Sequence, residues 1–117
     1  MNFNIGVDIE QVSRFKTKNN NLLKRMLSKN ELKSMKNYNA QHIAGIFAAK
    51  EAVIKACNQV EKLHFENIEI FNKPDGSPYV LLNKLKNIKQ KNLKISISHS
   101  KEYAVATAIL MINGKIN

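Results

Sequence analysis

Glu51 and Lys55 lie four residues apart in the stretch FAAKEAVIKA, residues 47–56, and Phe47 stands four residues before the glutamate. On a helix this spacing stacks the three side chains in one column, each about a turn from the next. The common use of such a pair is an exposed salt bridge that stabilises the helix by about 0.2–0.5 kcal/mol. Ala48, Ala49, Ala52 and Ala56 surround the column with small side chains, which leave room for a second group and also simply pack well. Asp8 is a second carboxylate from a distant part of the chain. Brought beside Glu51, it could help hold a hard divalent cation such as Mg²⁺, which takes few carboxylates, several waters and a substrate phosphate. His99 ends the run Ile95-Ser96-Ile97-Ser98 and, by a period of two, shares a face with Ile95 and Ile97. Most histidines so placed are satisfied core or edge groups.

Other chemistries are disfavoured. The chain has no glycine-rich phosphate loop, no dinucleotide fingerprint and no paired His/Cys spacing for a metal. Its one cysteine, Cys57, falls inside an expected helix, has no internal disulfide partner and reads as buried filler. The formal net charge of +10 favours an anionic partner: nucleic acid, a phosphorylated small molecule or an acidic protein. Charge does not choose among them, and the richness in lysine, asparagine and isoleucine is also what an AT-rich genome produces. No apolar run is long enough to span a bilayer and the N-terminus lacks the pattern of a secretory signal, so a cytoplasmic protein is expected.

The elements that must position these residues follow from periodicity. With 117 residues, 44% of them hydrophobic, one compact domain over 1–117 is expected. Residues 3–10 alternate, with Phe3, Ile5, Val7 and Ile9 on one side and Asn4, Gly6, Asp8 and Glu10 on the other. That is the period of a half-buried strand, and it points Asp8 away from the apolar face. Residues 12–27 predict two short helices broken by Asn19-Asn20-Asn21, and Ser28 with Glu31 predicts a capping box opening a helix that ends near Asn37. Residues 40–57, rich in alanine and free of proline, predict the longest helix. Two paired strands then follow, at 65–71 and 79–82 around a turn at 73–78, a short basic helix at 83–90, and two further strands around a turn near Ser100 and Lys101. The order implies an α+β fold with a mainly antiparallel sheet packed on the long helix.

The same residues also occur in a familiar order. Ile5-Gly6-Val7-Asp8-Ile9-Glu10, Phe47-Ala48-Ala49-Lys50-Glu51-Ala52 with Lys55, the turn Asp75-Gly76-Ser77-Pro78-Tyr79, and Ser96-Ile97-Ser98-His99-Ser100 followed by Lys101-Glu102-Tyr103-Ala104-Val105-Ala106 span nearly the whole chain. In combination they resemble the small bacterial-type 4′-phosphopantetheinyl transferases, the holo-[acyl-carrier-protein] synthase family. The resemblance implies that family's fold and transfer of the phosphopantetheine arm of coenzyme A to a serine of apo acyl carrier protein, in fatty acid biosynthesis. Adenosine 3′,5′-bisphosphate would be released.

By the same resemblance Asp8 and Glu51 match magnesium ligands, and Glu51 is also the route for removing the carrier serine's proton. Lys55 matches a lysine that stabilises or protonates the leaving phosphate. Phe47, Lys50, Lys55, Pro78, Ser98 and His99 match positions at the coenzyme A site, with His99 contributed by a neighbouring subunit of a homotrimer. Carrier proteins are acidic, so Arg14, with Lys18, Lys24 and Arg25, is the expected docking surface. Two departures stand out: Ile46, where many relatives have arginine, and the glycine-free Cys57-Asn58-Gln59-Val60, where relatives have a glycine-rich turn. Both bear on coenzyme A affinity. A basic nucleic-acid-binding module, the reading from another class, would interleave exposed aromatics with basic residues on one face. Here the aromatics fall mostly on the apolar side of strands. A family member that binds without catalysing is the remaining alternative, and retention of Asp8, Glu51 and Lys55 argues against it.

Overall fold

The computed structural model describes residues 2–112. Its centre is an 18-residue helix, α3 (Ala40–Cys57), lying across a three-stranded antiparallel sheet of β1 (Asn2–Gln11), β5 (Tyr103–Ile112) and β4 (Leu93–His99), in the order β1-β5-β4. A separate hairpin, β2 (Ile68–Asn72) with β3 (Pro78–Leu82), packs beside β4. Two short helices, α1 (Asn20–Met26) and α2 (Lys29–Ser34), bridge β1 and α3. The α+β class and the packing of an antiparallel sheet on the long helix agree with the sequence reading. No helix among the described residues is long and apolar enough to cross a membrane.

α3 forms where the alanine-rich text predicts it. Asn39 starts it, its side chain accepting a hydrogen bond from the His42 amide. The capping box at Ser28 is also present, with Glu31 N donating to Ser28 Oγ and Ser28 N donating to Glu31 Oε1. The helix it opens stops at Ser34, short of Asn37. After α3 the amides of Val60 and Glu61 both donate to the Cys57 carbonyl, and Asn58 stays right-handed at φ −56°. The turn therefore does not call for glycine.

The facing of β1 departs from the usual arrangement of a half-buried strand. Its apolar row is the open one: Phe3, Ile5, Val7 and Ile9 are 54–67% exposed, while Gly6 is buried and Asp8 and Glu10 lie on the α3 side. The cause is how closely helix and strand approach. A Cβ on Gly6 would stand 1.9 Å from the Ala52 carbonyl oxygen, so backbone meets backbone and no bulky row could occupy that side. β5 contributes only small residues beneath the helix, Ala104, Ala106 and Ala108, all buried. On the opposite side Tyr103, Val105 and Ile109 of β5 join the exposed row, since Val105 pairs with Ile9 and Ile109 with Ile5.

Two further segments differ from expectation. Residues 65–67 form a 3-10 turn before β2 begins at Ile68. The basic helix expected at 83–90 is absent: Lys84 is left-handed at φ +59°, and the Glu61 carboxylate takes the amides of Lys86 and Asn87. Gln90 Oε1 accepts the Leu82 amide, and a 3-10 turn at Gln90–Asn92 leads into β4. Side chains thus claim the donors that a helix would have used.

Candidate active site

β1 runs antiparallel along one flank of α3, and three contacts establish the register. Gly6 meets Ala52 and Ala56. Lys55 Nζ donates to the Val7 carbonyl at 3.0 Å and pairs with Asp8 Oδ1 at 3.4 Å. Further along, Glu10 Oε1 accepts from Arg14 at 3.3 Å, and the Arg14 guanidinium lies 4.7 Å from the centre of the Phe47 ring. Asp8, between Gly6 and Glu10 on the same side of the strand, therefore lies alongside the turn of α3 that carries Glu51. The column Phe47, Glu51, Lys55 is real, and it faces the carboxylates of β1.

The Glu51–Lys55 salt bridge, the common use of such spacing, is not formed. Lys55 turns to Asp8, and Glu51, half-buried, makes no hydrogen bond or ion pair among the described residues. Asp8 Oδ2 is fully buried with no hydrogen-bond partner. A buried carboxylate oxygen without a donor costs free energy and calls for an explanation. Next to it, burial above all, then a hydrogen bond to Asp8 that only a protonated Glu10 can donate, and charge repulsion from Asp8 push Glu10 up to about 7, while Arg14 opposes the shift; with Glu10 ionised, Asp8 Oδ2 has no donor. The Phe47 ring is held by Phe15 and, edge-on, by Phe65, with centroids 5.6 and 5.3 Å away.

Pro78, Ser98 and His99 sit elsewhere. β4 is separated from β1 by β5, so His99, whose row runs Glu10–Ala104–His99, flanks α3 on the side away from Asp8. Two strand spacings amount to about 10 Å before the helix itself is counted. There His99 and Pro78 line a cleft of about 130 Å³ with His42, Gly45, Ile46 and Asn72. Ser98 is exposed on the open side of the sheet, opposite Val105. Within one chain Asp8 and Lys55 thus lie on one flank of α3 and Pro78 and His99 on the other, with Ser98 on the open side of the sheet.

A family model described as the 4′-phosphopantetheinyl transferase superfamily matches residues 4–108. This chain belongs to that superfamily. It is 45% identical to the holo-[acyl-carrier-protein] synthase of Caldicellulosiruptor saccharolyticus over 118 aligned positions, covering 93% of this chain and 96% of the relative. The Clostridium kluyveri holo-[acyl-carrier-protein] synthase is 40% identical, with 97% of this chain and 92% of the relative covered. Among solved structures, the Bacillus anthracis holo-(acyl-carrier-protein) synthase in complex with CoA (3′,5′-ADP) superposes with a TM-score of 0.73 at 34% identity, over 92% of this chain and 94% of that one. The Helicobacter pylori enzyme in complex with coenzyme A gives 0.73 at 30% identity, over 92% and 99%.

In this member of the superfamily the β1 flank of α3 fits a hard cation. No group of three or more His, Cys, Asp or Glu residues converges among the described residues, as a closed metal cage would require. Mg²⁺ asks for less: one or two carboxylates, with waters and substrate phosphate completing the shell. Asp8, with an orphaned buried oxygen, and Glu51, with no partner, are the residues that could supply such a donor set.

Lys50, expected beside the anionic substrate, has its ammonium taken up by groups of this chain. One helical step of about 100° turns it from the Glu51 flank toward α2. It is 1% exposed and donates to Glu31 Oε1 and to the Met26 carbonyl, both at 2.6 Å. Glu31 Oε2 in turn accepts the Ile70 amide, so the pair ties α1, α2, α3 and β2 together. Arg14, Lys18, Lys24 and Arg25 are all exposed on the segment after β1. Two site residues went without a role in the sequence reading. Glu10 carried a signal, two residues from Asp8 on the same strand face, and His42 carried another, one turn before Ile46 on the cleft side of α3.

Proposed function

We propose that this chain transfers the 4′-phosphopantetheine group from coenzyme A to a serine of apo acyl carrier protein, giving holo carrier protein and adenosine 3′,5′-bisphosphate, as a step serving fatty acid biosynthesis. The observation that carries the reading is the orphaned Asp8 oxygen beside Lys55 and the unpartnered Glu51, in a chain of this superfamily. Asp8 and Glu51 would hold Mg²⁺, which when bound supplies charge neutralisation and polarisation at the pyrophosphate of coenzyme A. Glu51 takes the proton of the carrier serine hydroxyl as its oxygen forms the new bond to phosphorus. Lys55, whose ammonium already lies along the Asp8 side chain, stabilises the phosphate that leaves as the old P–O bond breaks. Phe47, wedged between Phe15 and Phe65, provides a rigid wall beside these groups.

The unit we propose is a homotrimer of single-domain chains. Two observations support it. The β1–β5 face exposes Phe3, Ile5, Val7, Ile9, Tyr103, Val105 and Ile109 side by side, an apolar surface of the kind that monomers seldom leave open. The coenzyme A residues are also split between the two flanks of α3, so a neighbouring copy bringing Pro78, Ser98 and His99 to the Asp8 flank would complete the site. The acidic carrier protein docks on Arg14, whose guanidinium lies over the Phe47 ring, with Lys18, Lys24 and Arg25. The reaction needs neither membrane nor nucleic acid.

The test follows the nucleotide. Release of adenosine 3′,5′-bisphosphate, read by chromatography, is expected only when coenzyme A, Mg²⁺ and apo carrier protein are all present. Release without a carrier, or none across several carriers, would contradict the assignment.

A further inference from the structure

Among Arg14, Lys18, Lys24 and Arg25, only Arg14 has its charged group engaged by other described residues. It stands in a 3-10 turn, Val12–Phe15, whose backbone is fixed on both sides. Val12 and Phe15 are buried, the Val12 amide donates to the Glu102 carbonyl at 2.8 Å, and Tyr38 Oη donates to the Phe15 carbonyl. The Arg14 side chain leaves this turn half exposed, and two groups take hold of it. Glu10 Oε1 accepts from its Nη1 at 3.3 Å, and its guanidinium carbon lies 4.7 Å from the centre of the Phe47 ring and 5.4 Å from that of Phe15.

The two contacts restrain different motions. A ring face attracts a cation anywhere over it and leaves the bearing of the planar fork free. A hydrogen bond to one nitrogen fixes that bearing, because the donors are rigidly set in the guanidinium plane. Glu10 is suited to make the bond: its own side chain is only 15% exposed, held between β1 and the residues packed on it. Its Oε1 accepts in either form of the carboxyl group, and the bond spends one N–H of Arg14 while the others stay open to a partner. An exposed pair of this kind adds little to stability. Its consequence lies in binding, since the freedom of a long side chain is given up before the partner arrives and the complex need not offset it.

We propose that Glu10 is a positioning residue for carrier recognition, holding Arg14 on the Phe47 ring in readiness for an acidic group of the carrier protein. The assignment rests on the transferase reading, which puts the carrier on this surface. Phe47 stands one helical turn before Glu51, so the cation that the carrier meets is joined to the catalytic column through a single ring. Lys18, Lys24 and Arg25 have no such hold among the described residues and supply charge without a fixed direction. Charge alone gives Glu10 the opposite effect: a carboxylate among cations repels an acidic protein. Removing Glu10 therefore weakens the complex if it positions Arg14 and tightens the complex if it acts only through its charge.

The experiment measures, by surface plasmon resonance without coenzyme A or metal, the binding of an apo acyl carrier protein whose acceptor serine is replaced by alanine. Wild type, Glu10→Ala and Glu10→Gln are compared. Glu10→Ala should weaken binding about fivefold, mostly through faster dissociation, as expected when one long side chain must be ordered during binding rather than before it. Glu10→Gln lacks the charge as alanine does, yet keeps an acceptor oxygen at the same reach, and should recover most of the loss. On an Arg14→Ala background neither change should weaken binding further. In a carrier-free arm, the NMR signal of the Arg14 Nε–H, shifted by the Phe47 ring in wild type and in Glu10→Gln, should move toward that of a free side chain in Glu10→Ala. Binding that is equal or tighter in Glu10→Ala, alanine and glutamine variants that weaken it alike, or an arginine signal unmoved in Glu10→Ala would overturn the proposal. If the wild type binds none of several carriers, it is the transferase reading that fails, and the arginine signal still decides whether Glu10 holds Arg14.

Discussion

Lys55 Nζ lies 3.4 Å from Asp8 Oδ1 and 3.0 Å from the Val7 carbonyl oxygen, while Asp8 Oδ2 is buried without a hydrogen-bond partner. The lysine thus satisfies one oxygen of the aspartate and leaves the other without a donor. This arrangement separates the cost of losing the ion pair from the cost of losing the reaction. Asp8→Asn and Glu51→Gln should each lower the transfer rate by at least about 100-fold, the scale seen when a group stabilising developing charge is removed. Lys55→Met should also lose rate. Because the Lys55 side chain is 54% exposed, its pair with Asp8 contributes about 1 kcal/mol or less. Transfer rates set beside thermal midpoints check the point: a variant that kept full activity would remove its residue from the site.

Gly6 marks the closest approach of β1 to α3. A methyl at this position would overlap the Ala52 carbonyl at 1.9 Å and crowd the Ala56 amide at 2.8 Å, both backbone groups that cannot swing aside. Gly6→Ala should therefore destabilise the fold by about 3 kcal/mol. Gly45→Ala, whose methyl would meet only the Ile97 Cγ2 methyl at 3.1 Å, a side-chain contact that a shift of a few tenths of an ångström relieves, should cost less. Urea unfolding of the two variants gives the comparison directly.

The buried pair Lys50–Glu31 predicts a different pattern. Lys50→Met leaves Glu31 charged, 1% exposed and short of a donor, and should cost about 3–5 kcal/mol. Removing both charges, as Lys50→Met with Glu31→Leu, should recover part of that loss, although the Ile70 amide then loses its acceptor. KM for coenzyme A in the folded fraction should stay near wild type. A large rise in KM would mean that Lys50 touches the ligand after all.

The open apolar face gives a test of assembly. Ile5→Lys places a charge among Phe3, Val7 and Ile109 without disturbing the side of β1 that meets α3. Sedimentation should show a folded monomer, and transfer should fall with the loss of the neighbouring copy that completes the site. A trimeric, fully active variant would contradict the role given to this face.

Much of this molecule can be read from its residues, and the exceptions have physical causes. α3 is legible because its cap, its alanines and its lack of proline all point to one helix. The alternation in β1 identifies two faces but not which of them is covered, since that depends on how near the helix comes; Gly6 was the clue. The salt bridge that four-residue spacing allows between Glu51 and Lys55 gave way to Asp8, a partner 47 residues away in sequence that no local spacing reveals. Lys50 and Glu31, 19 residues apart, pair for the same kind of reason. The helix expected at 83–90 gave way to capping by Glu61, whose side chain reaches the Lys86 and Asn87 amides only once the tertiary fold exists, while Gln90 turns back to the Leu82 amide at the end of β3. The column of Phe47, Glu51 and Lys55 survived because four-residue spacing on a helix holds whatever packs against it.

The most direct test of the central claim is the intact mass of an apo acyl carrier protein after incubation with this protein, coenzyme A and Mg²⁺. We predict a gain equal to one phosphopantetheine group, abolished by chelating the metal, by Glu51→Gln, or by replacing the acceptor serine with alanine. An unchanged mass across several carriers, or a gain that persists with Glu51→Gln, would contradict the account.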